Sequence, residues 1–155
     1  MGARDFFESV RDAAIEADRT ERMLLRMEAR EGMRGGSVGP HGSGGTHDPM
    51  SATDARVDME RLWRTRMERD YELVDVAARV LYGRGHDGDG GVAALLGTSY
   101  ADLLWWRYCY AGTWEEAARA SGWSESQARR VAVWTAFDFM DANGLTPTIE
   151  GIGLA

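Results

Sequence analysis

Apolar positions recur at steps of three and four along two long stretches of this chain, and glycine-rich segments separate them from each other and from its C-terminal part. In the first stretch, Phe6, Val10, Ala13, Ala17, Thr20, Leu24 and Met27 succeed one another at spacings of four, three, four, three, four and three. That is a heptad seam on a single helix, predicted from about Ala3 to Glu31. The other positions are dense in Arg, Asp and Glu; of the pairs four apart, Glu8–Asp12 and Asp12–Glu16 repel, and Asp18–Arg22 attracts. Propensity alone does not hold such a helix in water, so its seam must pack on a partner. The second stretch is predicted to start from an N-cap at Ser51 and to run to about Leu81. It carries Met59, Trp63, Met67, Tyr71, Val74, Ala78 and Leu81. Two helices of similar length with one seam each predict an antiparallel hairpin over residues 1–82. The Met and aromatic side chains of the second seam read as core rather than as a cofactor site.

Residues 32–50 hold seven glycines and two prolines. Ordering so much glycine is costly in chain entropy, so this segment is expected to be a flexible loop joining the two helices. A phosphate-cradling loop would need a following Gly-Lys-Ser/Thr, and the chain has no lysine. His41, His47 and Asp48 offer metal-ligand chemistry, but a glycine-rich loop supplies nothing to orient them. Gly83–Gly91 breaks the second helix. Asp87-Gly-Asp-Gly opens like a calcium loop, yet Thr98 stands where the twelfth position requires a bidentate Glu, so an exposed turn is expected. Beyond it, Val92–Leu96 reads as a short helical turn and Ser99–Tyr110 as a helix capped by Ser99. A pair of helices comes next, the last one stopping at Asn143-Gly144, and residues 146–155 read as a loose tail. The fold class is therefore all-α: a helical hairpin, then a helical bundle over residues 92–145.

The pair of helices beyond Gly112 carries the chemistry. Thr113 to Ser121 reads as a short helix, Gly122 as a turn with positive φ, and Ser124 as the N-cap of the next helix. Ala118, four residues before Gly122, fits a place where two helices cross closely. Small residue, glycine, N-cap and then a helix with a polar face is the layout of a helix-turn-helix. On the second helix Ala128, Val131 and Trp134/Thr135 are expected to face the first. That leaves Ser124, Glu125, Ser126, Gln127, Arg129 and Arg130 as candidate DNA contacts. Arginine reads guanine bidentately, glutamine reads adenine, and serine bonds a phosphate or base edge. Arg107 and Arg119 on the neighbouring helices are candidates for flanking phosphates. The competing reading is that Arg129 and Arg130 only solvate a surface helix and pair with Glu125 or Glu116. Trp114 and Trp123 could offer stacking platforms for bases, but beside the turn they are expected to pack in the core.

Composition narrows this picture. The formal net charge is −7, and residues 92–145 hold four arginines against six acids. Bulk electrostatics oppose tight nonspecific binding, so DNA contact must come from a local arginine cluster, in an oligomer or beside another protein. Cys109, the single cysteine, excludes an internal disulfide and any multi-cysteine zinc site, and is expected to be a buried small hydrophobe. No run of about 18 apolar residues suggests a membrane span, and Met1–Phe6 lacks the pattern of a secretory leader. The expected location is the cytoplasm of a bacterial host. His86 has no serine or cysteine partner at a readable spacing, and Glu115-Glu116 suits a helix N-terminus. Neither an enzyme nor a cofactor is expected.

Leu103-Leu104-Trp105-Trp106-Arg107-Tyr108, then Gly112-Thr113-Trp114-Glu115-Glu116-Ala117-Ala118 and Gly122-Trp123-Ser124, resembles region four of sigma-70-type factors. Ala117 stands where that pattern usually has Ile, and Ala128 where it has Val or Ile. With the preceding helices and the Gly/Ser-rich loop, the layout is similar to the ArpU/RinA-like phage transcriptional regulators of Gram-positive prophages. The resemblance implies a regulator that activates late phage genes and touches double-stranded DNA through Ser124 to Arg130. The hairpin would then serve dimerisation or contact with RNA polymerase. Two alternatives come from other classes: a DNA-packaging component of the small-terminase type, and a protein-interaction module that never meets DNA.

Overall fold

The computed structural model describes residues 2–34 and 49–147, and all regular structure among them is helical. Two long helices come first, α1 (Ala3–Arg34) and α2 (Pro49–Tyr82). They pack antiparallel, with Glu28 bonded to Arg64 at 2.8 Å and Glu21 accepting from the Tyr71 hydroxyl at 3.0 Å. Next come α3 (Gly91–Leu95), α4 (Thr98–Leu104) continued by a π turn (Trp105–Cys109), and α5 (Trp114–Ser121). The last rod is continuous: α6 (Glu125–Gln127), a π turn (Ala128–Ala132) and α7 (Val133–Ala142), ending at Asn143 and Gly144. No helix among the described residues is long and apolar enough to cross a membrane.

The α1 seam lies where the spacing puts it: Phe6, Val10, Ala13, Ala17, Thr20 and Leu24 are all buried. The α2 seam differs from the expected one. Met59 and Tyr71 are 42% and 44% exposed, while Ala77 and Leu81 are buried and Glu60, Trp63, Met67, Asp70 and Val74 are half-buried. The inward positions step by three and four without a fault, but two of them are carboxylates. A seam drawn through apolar residues alone bypasses them. The start of α2 also departs from expectation. Ser51 lies inside the helix, which begins at Pro49, a residue whose fixed φ suits a first helical turn. Likewise Ser99 is not a cap: α4 begins at Thr98 after Gly97, with no side chain closing it. The expected loop over residues 32–50 and its candidate metal ligands His41, His47 and Asp48 lie largely or wholly outside the described residues.

One core draws on both ends of the chain. Phe6, Phe7 and Val10 of α1 and Ala77 and Leu81 of α2 meet Leu104 and Tyr108, then Phe137 and Met140 of α7. Phe7 lies 5.8 Å from the Tyr108 ring and 6.0 Å from Phe137. The first turn of α1 is tied down by α7, since Asp141 accepts the Ala3 amide at 2.8 Å and so occupies one of the unpaired donors of that helix end. Tyr82, at the end of α2, donates to Asp102 of α4 at 2.7 Å; burial and then Asp102 raise its phenol above the usual value. Cys109 is 7% exposed, and burial pushes its thiol up to about 12, which suits packing rather than nucleophilic chemistry. The turn after α2 keeps Gly91 at φ +65, where an added Cβ would run into the Val80 and Leu81 backbone.

Candidate nucleic-acid interface

The corner between α5 and α6 is built by local hydrogen bonding. Thr113 accepts from the Glu116 amide at 3.1 Å, and Glu116 accepts from the Thr113 amide at 3.3 Å, so the start of α5 is a reciprocal capping box. Gly122 ends α5 at φ +83, a conformation glycine adopts without steric cost. Ser124 then caps α6, accepting from the Gln127 amide at 3.2 Å. Ala117, Ala118, Ala128 and Ala132 are buried with Leu103 between the crossing helices, where larger side chains would push them apart. The buried Ser121 hydroxyl is satisfied by the Ala117 carbonyl at 2.6 Å. Both tryptophans of the corner serve packing. Trp114 lies against the core clusters, and Trp123 packs on Tyr100 at 5.1 Å and donates from its indole N–H to the Ser99 carbonyl at 3.1 Å.

The face of the last rod is not the one expected. Ala128 is buried, but Val131 and Trp134 are 61% and 43% exposed, Thr135 is exposed as well, and the inward stripe is Ala128, Ala132, Val133, Ala136, Phe137 and Met140. The π turn over Ala128–Ala132 explains the change. A wider turn carries the inward stripe to steps of four, which rotates Val131 outward.

Ser124, Glu125, Ser126, Gln127, Arg129 and Arg130 are all exposed. Glu125, Ser126, Arg129 and Arg130 line one shallow groove on the outer side of the rod. Ser124 spends its hydroxyl on the cap. Glu116 is committed to the capping box, and neither Arg129 nor Arg130 has an ion-pair partner among the described residues. Arg119 is exposed and pairs with Glu115 at 2.9 Å, one turn back on the same helix. Arg107 is half-buried. Its guanidinium lies over the Trp114 ring at 4.4 Å and donates to the Gly112 carbonyl at 3.1 Å. Burial, followed by the nearby charges of Arg11 and Arg129, holds it below the usual arginine value.

Arg11 is the residue that sequence reasoning missed. From α1 it reaches into the corner and donates to the carbonyls of Arg107 at 2.7 Å and Gly112 at 3.0 Å. Arg11, Arg107 and Arg129 therefore concentrate positive charge beside the start of the last rod, although the chain as a whole is acidic. No local pattern reveals this, because Arg11 and Gly112 are 101 positions apart. No protein-family model, curated protein or solved structure matches the chain.

Proposed function

We propose that the protein binds double-stranded DNA through the exposed first turns of the last rod, and that it is a phage-encoded transcription regulator acting on late genes. The observation that carries the DNA reading is the pair Arg129 and Arg130. Both are exposed, both lack an ion-pair partner among the described residues, and both lie just past a capped corner of close-packed alanines. Two arginines held this way have their full donor capacity available for guanine edges or phosphates. Arg129 has the charges of Arg11 and Arg107 behind it, which supports phosphate contact there despite the net charge of −7. Arg107 acts in this reading by supporting the corner, with Arg119 and Ser126 at the edge of the contact. The paired α1 and α2 would carry self-association or contact with RNA polymerase.

The test is anisotropy of labelled duplexes drawn from the same genome, measured across a salt series. Salt-sensitive binding is expected for the wild-type chain. Arg129→Ala and Arg130→Ala should each weaken it by about 10-fold and lower the log–log salt slope by about 1. Absence of salt-sensitive binding to every fragment would overturn the reading in favour of a protein-interaction module. The small-terminase-type alternative keeps the same DNA contact but needs a multi-copy ring. One observation favours it: the two outer edges of the α1–α2 pair carry opposite charge.

A further inference from the structure

We propose that copies of this chain associate side by side, the outer face of α1 in one copy lying on the outer face of α2 in the next, to close a ring of three or more. The inner side of each helix is occupied by the seam it shares with the other. Half a turn away from its seam, α1 carries Arg19, Arg22 and Arg26 with the exposed Ile15 and Met23, against the single acid Asp18. Half a turn from its own seam, α2 carries Glu68, Glu72 and Asp75 with the half-buried Val76, against Arg69 and Arg79, while Tyr71 flanks this face and reaches back to Glu21 of α1. The edges of the pair are thus a basic ridge and an acidic ridge, each with apolar surface between its charges. Arg19, Arg26, Glu68 and Glu72 have no ion-pair partner among the described residues.

The spacings match as well as the signs. Arg19, Arg22 and Arg26 step by three and four, and Asp75, Glu72 and Glu68 step back by three and four. Within one chain, Glu28 stands level with Arg64 and Glu21 with Tyr71. A second copy turned about an axis parallel to the helices, with no shift along it, therefore sets Arg26 near Glu68, Arg22 near Glu72 and Arg19 near Asp75. The offset is about two residues, ~3 Å along a helix, which these long side chains span. The pairs Arg22–Asp18 and Arg79–Asp75 already present are one-turn surface pairs worth at most about 1 kcal/mol, and the His86 contact to Asp75 at 3.4 Å is also at the surface, so partners can exchange.

Charge also selects the symmetry. In a contact edge to edge, a two-fold axis brings the same ridge of both copies together, arginine on arginine or carboxylate on carboxylate. A contact between different patches closes only as a ring of three or more or runs on as a filament. In the ring every corner with Arg129 and Arg130 points to the same end, and several weak DNA contacts then act at high effective concentration. The association itself does not depend on DNA.

The test is mass in solution without DNA, by sedimentation velocity and native mass spectrometry of the full chain. Wild type is expected as one closed species of at least three 17.2 kDa chains. Replacing Arg19, Arg22 and Arg26 together by Glu, or Glu68, Glu72 and Asp75 together by Arg, should give monomers with unchanged helical circular dichroism. Mixing these two variants should restore assembly, because each then offers the face the other lacks. A wild-type monomer, dimer or open filament would overturn the proposal, as would either variant alone keeping the wild-type mass or a mixture that stays monomeric. The Arg129→Ala/Arg130→Ala variant should lose DNA and keep its mass, which separates failure of this contact from failure of the DNA reading.

Discussion

Near the bundle, the α1–α2 pair is closed by Phe6, Phe7, Val10, Ala77 and Leu81, all without exposed surface. Further out, the same pair meets through half-buried Glu16, Trp63, Met67 and Asp70, and two carboxylate oxygens, on Glu60 and Asp70, find no hydrogen-bond partner among the described residues. The inner end has helices on several sides to exclude water. The outer end has only one seam between two rods, so a carboxylate can sit at a seam position with one oxygen buried and the rest of the group still in reach of water. A continuous pair of helices thus changes from a stabilising core to a weakly held extension within a few turns.

The largest expected contrast comes from truncating one seam residue at each end. Phe7→Ala should remove about 3–5 kcal/mol, because the ring fills a site walled by Phe6, Tyr108 and Phe137 that cannot collapse. Leu24→Ala should cost about 2 kcal/mol, since water and the neighbouring turn can fill the site. Urea unfolding gives both numbers. Native-state hydrogen exchange should show protection lost throughout the bundle for the first, and only around residues 20–28 and 60–70 for the second. Equal costs would remove the distinction.

Gly91→Ala tests the joint from which α2 passes into the bundle. A Cβ there would run into the Val80 and Leu81 backbone at a φ that L residues rarely adopt. A loss of about 2–3 kcal/mol is expected, and a melting temperature within a degree of wild type would contradict it.

Asp70 sharpens the comparison through pH. Burial, then the charge and hydrogen bond of Glu16, raises its carboxyl from 3.8 to about 6, with Arg66 opposing. The folded chain therefore holds this proton more tightly than the unfolded chain. The associated stability is fully present below pH 4 and is lost as pH rises through about 6. Asp70→Asn should be more stable than wild type by about 1 kcal/mol at pH 7.5, with the difference shrinking towards zero by pH 4. Because the group is only half-buried, screening keeps the effect modest. A difference independent of pH would rule out Asp70 as its source.

Smaller changes are expected from the caps. Thr113→Ala and Ser124→Ala should each cost about 1 kcal/mol, and Ser124→Ala should weaken DNA binding more than Thr113→Ala, because it loosens the turn holding Arg129 and Arg130. The reverse order in anisotropy would count against that face as the contact.

The α1 seam, the αL turn at Gly122, the Ser124 cap and the burial of Ala118 and Cys109 were legible because each depends on spacing or on the chemistry of one residue. What was not legible depends on partners distant in sequence. Glu60 and Asp70 occupy seam positions that only the packed geometry reveals, since their polarity argues for the surface. The π turn at Ala128–Ala132 has no local signature here, and it shifts the inward stripe so that Val131 faces out. Ser51 and Ser99 have capping chemistry, yet the helices start earlier because Pro49 and Thr98 already fit a first turn. Arg11 could not be assigned to the corner until α1 was placed beside the first π turn.

Ala111 offers the smallest and most local test of how that corner is held. It has φ +60, between the exposed Tyr110 and the Gly112 whose carbonyl Arg11 and Arg107 share. An alanine in this conformation carries about 1–2 kcal/mol of strain. Three hydrogen bonds hold it there: the Gly112 N–H donates to the Trp106 carbonyl at 2.9 Å, and the two guanidiniums donate to the Gly112 carbonyl. Replacing Ala111 by glycine removes the strain but gives the unfolded chain about 0.4–1 kcal/mol of added entropy. The net expectation is a gain of about 0.5 kcal/mol, read as a small rise in the urea midpoint with an unchanged slope. In an Arg11→Ala background one of those bonds is gone and the corner relaxes in part, so the same substitution should gain less. Equal gains in both backgrounds would mean that Arg11 does not hold the turn.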